Sequence, residues 1–204
     1  MTKNILVAAL IAAGVLSSAV AQAQDGSFMV RARAVNVAFE NGQSNAVASM
    51  DIRAEDRWIP EVDFSYFITK NIAAELVLTY PQTVDITIGG VKQGKIKALP
   101  PSLLVQYHFT NFGAFKPYVG AGVNFTIFSS RDNILGGAAK VDGTSAGLAA
   151  QVGFDYMLSK NWGLNLDVKY IQMSTDVTLT ASGTNIGKLD LNPITAGLGV
   201  TYRF

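Results

Sequence analysis

The stretch Trp162–Ile171, WGLNLDVKYI, alternates without a break. Trp162, Leu164, Leu166, Val168 and Tyr170 fall on one face, and Asn165, Asp167 and Lys169 fall on the other. A period of two is the signature of a β-strand, whose successive side chains point to opposite sides. One face is wholly apolar and the other is charged, so the two faces meet different surroundings. The period alone does not say which face is inside.

The same pattern spreads in both directions. Across Ser159-Lys160-Asn161, the stretch Ala146–Met157 sets Gln151 and Asp155 against Leu148, Val152, Phe154 and Tyr156. Lys116–Phe128, Ser102–Phe109, Asn71–Tyr80, Arg57–Ile68 and Phe28–Phe39 alternate likewise, the last with Arg31 and Arg33 on one face. At the other end, Leu198, Val200, Tyr202 and Phe204 oppose Gly197, Gly199, Thr201 and Arg203 in a strand that the pattern starts at about Leu189. About eight strands result. Their connections alternate in length. Thr69-Lys70-Asn71, Thr110 to Ala114 and Ser159-Lys160-Asn161 are tight. Glu40 to Glu55, Gln82 to Lys97, Ser129 to Thr144 and Ser174 to Lys188 are long and polar. Within the second long link, Gln93-Gly94 reads as a hairpin turn that carries the third and fourth strands onward. YFITKNIAAEL and YMLSKNWGLNL echo one another as repeated hairpin geometry.

Composition narrows the surroundings. Lys3, an apolar run from Ile5 to Leu16 and Ala21-Gln22-Ala23 have the form of a secretory leader, predicted to span residues 1–23. The run, at about 12 residues, is too short for a membrane helix, which takes roughly 20. Without that leader the chain, 24–204, carries 15 acidic residues and, less Lys3, as many basic ones. No basic excess points to nucleic acid. With no Cys there is no disulfide framework and no thiolate chemistry. Hydrophobic residues make up 49% of the chain and charged residues only 15%, less charge than a soluble domain ordinarily carries. No later segment is apolar for long enough to be a membrane helix.

A soluble sandwich or lipocalin-like barrel would turn the apolar face inward. Three features favour the opposite. Aromatic residues of the apolar face gather near the strand ends, with Phe28, Tyr66, Tyr107, Phe109, Tyr156, Trp162, Tyr202 and Phe204 at the short turns and Trp58, Tyr80 and Tyr170 opposite. Two such girdles mark two membrane interfaces. The polar face mixes both signs of charge with Gly, as a closed, paired interior would. The leader supplies export. The expected fold is all-β, an eight-stranded antiparallel transmembrane β-barrel with short periplasmic turns and four long extracellular loops, in the outer membrane of a Gram-negative bacterium.

KPYVGAGVNFT, AAQVGFDYML, ALPPSLLVQYHF and the terminal YRF resemble the OmpW family over nearly the whole of 24–204. The resemblance implies an eight-stranded outer-membrane barrel and uptake of small, mostly hydrophobic molecules. The terminal Phe204 resembles the recognition signal for outer-membrane insertion, so the assembly machinery is an expected partner. Membrane lipid, lipopolysaccharide and small hydrophobic solutes are the others.

Strand direction fixes depth in the lumen. A charged plug is expected at the periplasmic side from Arg31, Arg33, Glu61, Asp63, Glu75, Lys116, Asp155, Asp167 and Arg203, with Gln106, His108, Gln151 and Asn165. Above it the inward residues are apolar: Val35, Val37, Phe39, Ile59, Val77, Leu104, Phe128, Ile171, Met173 and Leu191, with Pro81, Pro100 and Pro193. An apolar funnel over a charged floor suits a hydrophobic guest. Pro81, Pro100 and Pro101 remove ladder donors between the third and fourth strands, which suggests a lateral opening; ending or bending strands is proline's other ordinary role. The alternative function is a structural or surface-binding barrel whose loops hold phage, toxin or host ligands.

Enzymatic readings are weak. VGAGVN lacks the third glycine and the helix of a phosphate loop. His108 is the single histidine, and nothing marks a nucleophile beside it. A metal site would need His108 with carboxylates such as Glu75, and the spacing gives no such signature. No cofactor is expected.

Overall fold

A computed structural model of the chain describes residues 27–130 and 134–204. The predicted leader lies outside the described residues. The first strand, β1 (Phe28–Ala38), runs into a long loop that holds β2 (Gly42–Gln43), a 3-10 helix (Asn45–Met50) and β3 (Ile52–Ala54). β4 (Arg57–Phe67) and β5 (Ile72–Thr79) are joined by a tight turn, and β6 (Gln82–Ile88) and β7 (Val91–Leu99) form the next excursion. β8 (Ser102–His108) and β9 (Phe115–Ser129) flank the second short turn. The third loop contains β10 (Ala139–Val141), then β11 (Thr144–Met157) and β12 (Trp162–Ile171) enclose the third short turn. The fourth loop contains β13 (Ser174–Leu179) and β14 (Asn185–Asp190), and β15 (Ile194–Arg203) completes the fold.

Eight strands close on themselves in the order β1–β4–β5–β8–β9–β11–β12–β15, every pair antiparallel. Closure runs through β15 and β1, from Met29 opposite Arg203 to Ala38 opposite Ile194. A closed ladder pairs every strand edge, the condition a sheet must meet inside hydrocarbon. The outward residues form the apolar wall that alternation predicts. Leu103, Val105, Val119, Val123, Leu148, Val152, Leu166 and Leu198 are all exposed on it. Trp58, Tyr80 and Tyr170 stand at its long-loop end, and Tyr66, Tyr107, Tyr156 and Trp162 at its short-turn end.

The echoing hairpins are built alike. Thr69 Oγ1 accepts from the amides of Asn71 and Ile72, and Ser159 Oγ from those of Asn161 and Trp162. Each turn's asparagine then donates to the neighbouring strand, Asn71 to the His108 carbonyl and Asn161 to the Arg203 carbonyl, both at 2.7 Å.

Two sequence expectations shift, and the long loops prove ordered. The hairpin turn between β6 and β7 falls at Gly89-Gly90, not Gln93-Gly94. Both glycines have positive φ, 56° and 78°, which a two-residue turn of this type demands. Gly94 instead sits in the ladder opposite Ile86, beside a bulge at Ile86/Thr87. The final barrel strand starts at Ile194, because Leu189 belongs to β14 and pairs with Gln43 and Thr175. The long loops carry structure of their own. β10, β13, β14 and β2 form a second sheet over the barrel mouth. Val47, Ile134, Val141, Val177 and Leu189 from the loops join Val77, Leu104, Phe128 and Met173 of the barrel in one buried apolar cluster.

Glycine governs how closely strands approach. A Cβ at Gly199 would strike the Ala32 carbonyl and the Arg33 backbone of β1, whereas one at Gly197 would only graze Val35 and Arg33 side chains at 3.1 and 3.3 Å. Gly199→Val should therefore cost about 1–3 kcal/mol or more, as overpacking does. Gly197→Ala should stay near neutral. Urea titration of the refolded barrel, followed by the gel shift between folded and unfolded forms, measures both.

Candidate functional site

The lumen divides at one height. Along β1 the inward residues run Arg31, Arg33, then Val35 and Val37; along β4 they run Ile59, then Glu61, Asp63 and Ser65; along β12 they run Asn165, Asp167 and Lys169, then Ile171. All are buried. The ladder sets the pairs, with Arg31 opposite Asp63 and Arg33 opposite Glu61.

Arg31 is the hub of the floor. Its guanidinium donates twice to Asp155, through Nε at 3.0 Å and Nη2 at 2.7 Å. Its Nη1 reaches Asp63 at 3.3 Å and Glu75 at 3.1 Å. Its plane lies 4.6 Å from the centre of the Tyr118 ring. Arg33 pairs through Nη2 with Asp63 at 2.5 Å and Glu61 at 2.9 Å, and lies 3.6 Å from Asp167. Lys169 Nζ reaches Glu61 at 3.3 Å. Neutral groups add further hydrogen bonds: Thr201 and Asn165 donate to Asp155, Gln151 to Glu75, and Tyr118 to Asp167. His108 is bonded to Gln106 at 2.8 Å and packs between the rings of Phe67 and Tyr118.

The structure thus brings together Arg31, Arg33, Glu61, Asp63, Glu75, Asp155 and Asp167. It places the other two expected members at the rim. Lys116 donates to the Thr110 carbonyl at 3.0 Å, and the Arg203 guanidinium lies 4.2 Å over the Phe67 ring. Tyr118 and Lys169 are full members that the depth assignment left out, although both are inward by parity.

Above the floor, Val35, Val37, Ile59, Val77, Leu104, Phe128, Ile171, Met173 and Leu191 are buried and Phe39 half-buried. The loops roof this compartment. A cavity of about 50 Å³ remains, lined by Val37, Ile59, Ile171 and Met173 on one side and by Thr79, Gln82 and Pro100 on the other.

That second wall is interrupted. β5 pairs with β8 as far as Val77–Ser102, and pairing resumes only at Gln82–Ala98 between β6 and β7. Four residues are skipped on one side, Leu78 to Pro81, and three on the other, Leu99 to Pro101. The extra residue reverses the facing of the strand. Ala73, Glu75 and Val77 are buried, then Gln82, Val84 and Ile86, while Pro81 is exposed. Pro81 therefore points outward, and the inward orientation expected from parity is corrected by this bulge. Side chains bond backbone carbonyls beside the break, where Pro101 O also accepts from the Phe125 amide. Thr79 Oγ1 donates to Pro60 O at 3.0 Å, Gln82 Nε2 to Tyr80 O at 2.8 Å, and Asn124 Nδ2 to Pro100 O and Pro101 O at 3.2 and 3.0 Å. Thr79 and Gln82 carry no sequence signal beyond standing near Pro81, whereas Asn124 falls on the polar face of the alternating stretch Lys116–Phe128.

Removing one partner from a buried charge network strands the others, at about 3–5 kcal/mol. Arg31→Met should show that loss in urea unfolding of the refolded barrel, because Asp63, Glu75 and Asp155 all lose their shared cation. Lys169→Met, which strands chiefly Glu61, should lose less.

Residues 24–204 match the OmpW family. An uncharacterized outer-membrane protein of Sinorhizobium fredii, y4mB, is 43% identical over 95% of this chain and 89% of its own. The dibenzothiophene metabolism operon protein PahQ of Pseudomonas aeruginosa is 30% identical over 89% of this chain and 90% of its own. The crystal structure of the outer membrane protein OprG from Pseudomonas aeruginosa matches with a TM-score of 0.74 at 29% identity, covering 89% of this chain and 97% of that one. With its closed ladder and apolar outer wall, the chain is an outer-membrane barrel and belongs to the OmpW family.

Proposed function

We propose that the barrel takes up small hydrophobic molecules into the apolar compartment and releases them sideways into the bilayer through the break between β5–β6 and β7–β8. The observation that carries this reading is the apolar cavity against that break, with Pro100, Thr79 and Gln82 in its lining. A solute in the compartment meets a floor of paired charges below, which an apolar body cannot cross without separating them. The route through the wall crosses no ladder hydrogen bonds between β5–β6 and β7–β8, and the polar side chains along it, Thr79 and Gln82, are uncharged. Transfer to lipid then follows the ordinary gain of apolar area leaving water, about 25 cal/mol per Å². The family resemblance supports the substrate class, as does the name of the relative PahQ, a dibenzothiophene metabolism operon protein, dibenzothiophene being an apolar ring compound.

The roof favours a second reading. A four-stranded sheet packed over the mouth presents a fixed extracellular surface, which suits a barrel whose loops bind phage, toxin or host ligands.

Uptake of a small apolar compound by liposomes holding the refolded barrel distinguishes the two. The barrel should accelerate uptake over empty liposomes. Leu104→Asp with Met173→Asp should remove the acceleration by making the compartment polar. Replacing Pro81, Pro100 and Pro101 with Val or Thr should slow uptake several-fold by restoring ladder donors. Wild-type rates in the proline variant would sink the lateral route, and no acceleration by the wild type would leave the surface-binding reading.

A further inference from the structure

The outward face of the β6–β7 extension takes no part in the lumen. Its inward residues, Val84, Ile86, Ile96 and Ala98, are buried under the roof. The outward ones are hydroxylated or basic. Thr83 stands opposite Lys97, Asp85 opposite Lys95, and Thr87 opposite Lys92 and Arg53. On the far side Lys97 pairs in register with Ser129 of β9. Charge on this face is lopsided. Asp85 is the single carboxylate of the β6–β7 hairpin itself, held by Lys92 at 2.7 Å with Lys95 at 3.9 Å, and the exposed Glu55 stands beside it, its amide on the Asp85 carbonyl. The Lys92 hydrogen bond keeps the Asp85 carboxyl below the usual carboxylate range, so that pair is satisfied. Arg53 is engaged by Asp51 at 2.8 Å. Lys97 has no acidic partner among the described residues. A depression of about 440 Å³ lies between Thr83, Lys92, Lys95, Lys97 and Ser130.

The height of this depression identifies its occupant. The rung below Lys97–Ser129 on the same face is Leu99–Ile127, and Ile127 and Phe125 are exposed on the lipid-facing wall. Two residues of strand separate Lys97 from that wall, about 7 Å. Lysines there stand where the hydrocarbon ends and lipid headgroups begin. The hairpin also rises directly from the proline break.

We propose that Lys92, Lys95 and Lys97 form a binding site for the phosphate of a phosphorylated glycolipid of the outer leaflet, whose acyl chains lie on the wall formed by Phe125 and Ile127. Lysine supplies mobile point charges suited to phosphate, and the Thr83 and Ser130 hydroxyls are placed to meet a sugar.

Native mass spectrometry of the detergent-solubilised barrel tests this, with lipid A, lipid A stripped of phosphate, and inorganic phosphate as probes. Each lysine near an anionic lipid surface is worth about fivefold in affinity. Replacing all three with Gln should weaken lipid A binding by on the order of a hundredfold, and Lys97→Gln alone by about fivefold. Lys70→Gln with Lys160→Gln, at the opposite rim, should change nothing. The dephosphorylated lipid should bind the wild type as weakly as lipid A binds the triple variant. Equal binding of both lipids by the wild type would overturn the site, as would unchanged lipid A binding by Lys97→Gln and the triple variant. Displacement of lipid A by inorganic phosphate at matching concentration would reassign the site to a free anion.

Discussion

A strand in hydrocarbon has no water to accept its backbone hydrogen bonds, so each amide must find a partner in the next strand. Closure of β15 onto β1 meets that requirement, and everything inside follows from it. Eight strands enclose a lumen only wide enough for side chains to fill. Inward residues from all eight strands are therefore forced into mutual contact, and a charge placed there must meet its opposite. The glycines of β9, β11 and β15 belong to the same constraint. Gly153 leaves the space that the Tyr118 ring occupies, and Gly199 lets β15 come against β1.

The division of the lumen into floor and compartment gives each part its mechanical character. Buried ion pairs gain little net stability, since desolvation offsets their attraction, but they tolerate few arrangements. Arg31 spans the lumen from β1 to Asp155 on β11 and Glu75 on β5, so the floor ties strands that never touch. It is a rigid seal. The compartment above is held by side chains of similar size and no direction, such as Val35, Ile59, Leu104 and Met173. Apolar packing of that kind readjusts at lower cost than a network of paired charges. A guest would displace the second and leave the first intact.

Much of this was legible in the chain. Alternation fixes facing, the short and long links fix direction, and the two together give depth, which is how Arg31, Asp63 and Glu75 were placed at one level from sequence. Tyr118 and Lys169 were readable by the same rule, since both are inward by parity. The roof was not. Val47, Ile134, Val141 and Val177 are scattered among polar loop residues without periodicity, and each is buried only because loops distant in sequence meet over the mouth. The turn at Gly89-Gly90 and the reversal at Pro81 illustrate the other limit. A single extra residue changes every facing beyond it, and period-two reasoning carries no marker of where that residue sits.

The same extra residue explains how a membrane barrel can keep an unpaired stretch of wall. Orphaned carbonyls facing lipid would be costly, and a plain deletion of ladder bonds would invite the strands to slide back into register. Here the two edges differ in length by one residue and the prolines supply no donors between them, so no slide restores the ladder. Gln82 meanwhile bonds the Tyr80 carbonyl within the skipped segment, and Thr79 and Asn124 bond the neighbouring carbonyls of Pro60, Pro100 and Pro101. The break is thus a stable state of the wall rather than a frayed one. Because β5 and β8 remain fully paired below it and β6 and β7 above it, widening the break separates side chains but no ladder. An opening of the kind proposed would therefore leave the closure, on which the barrel's place in the membrane depends, whole.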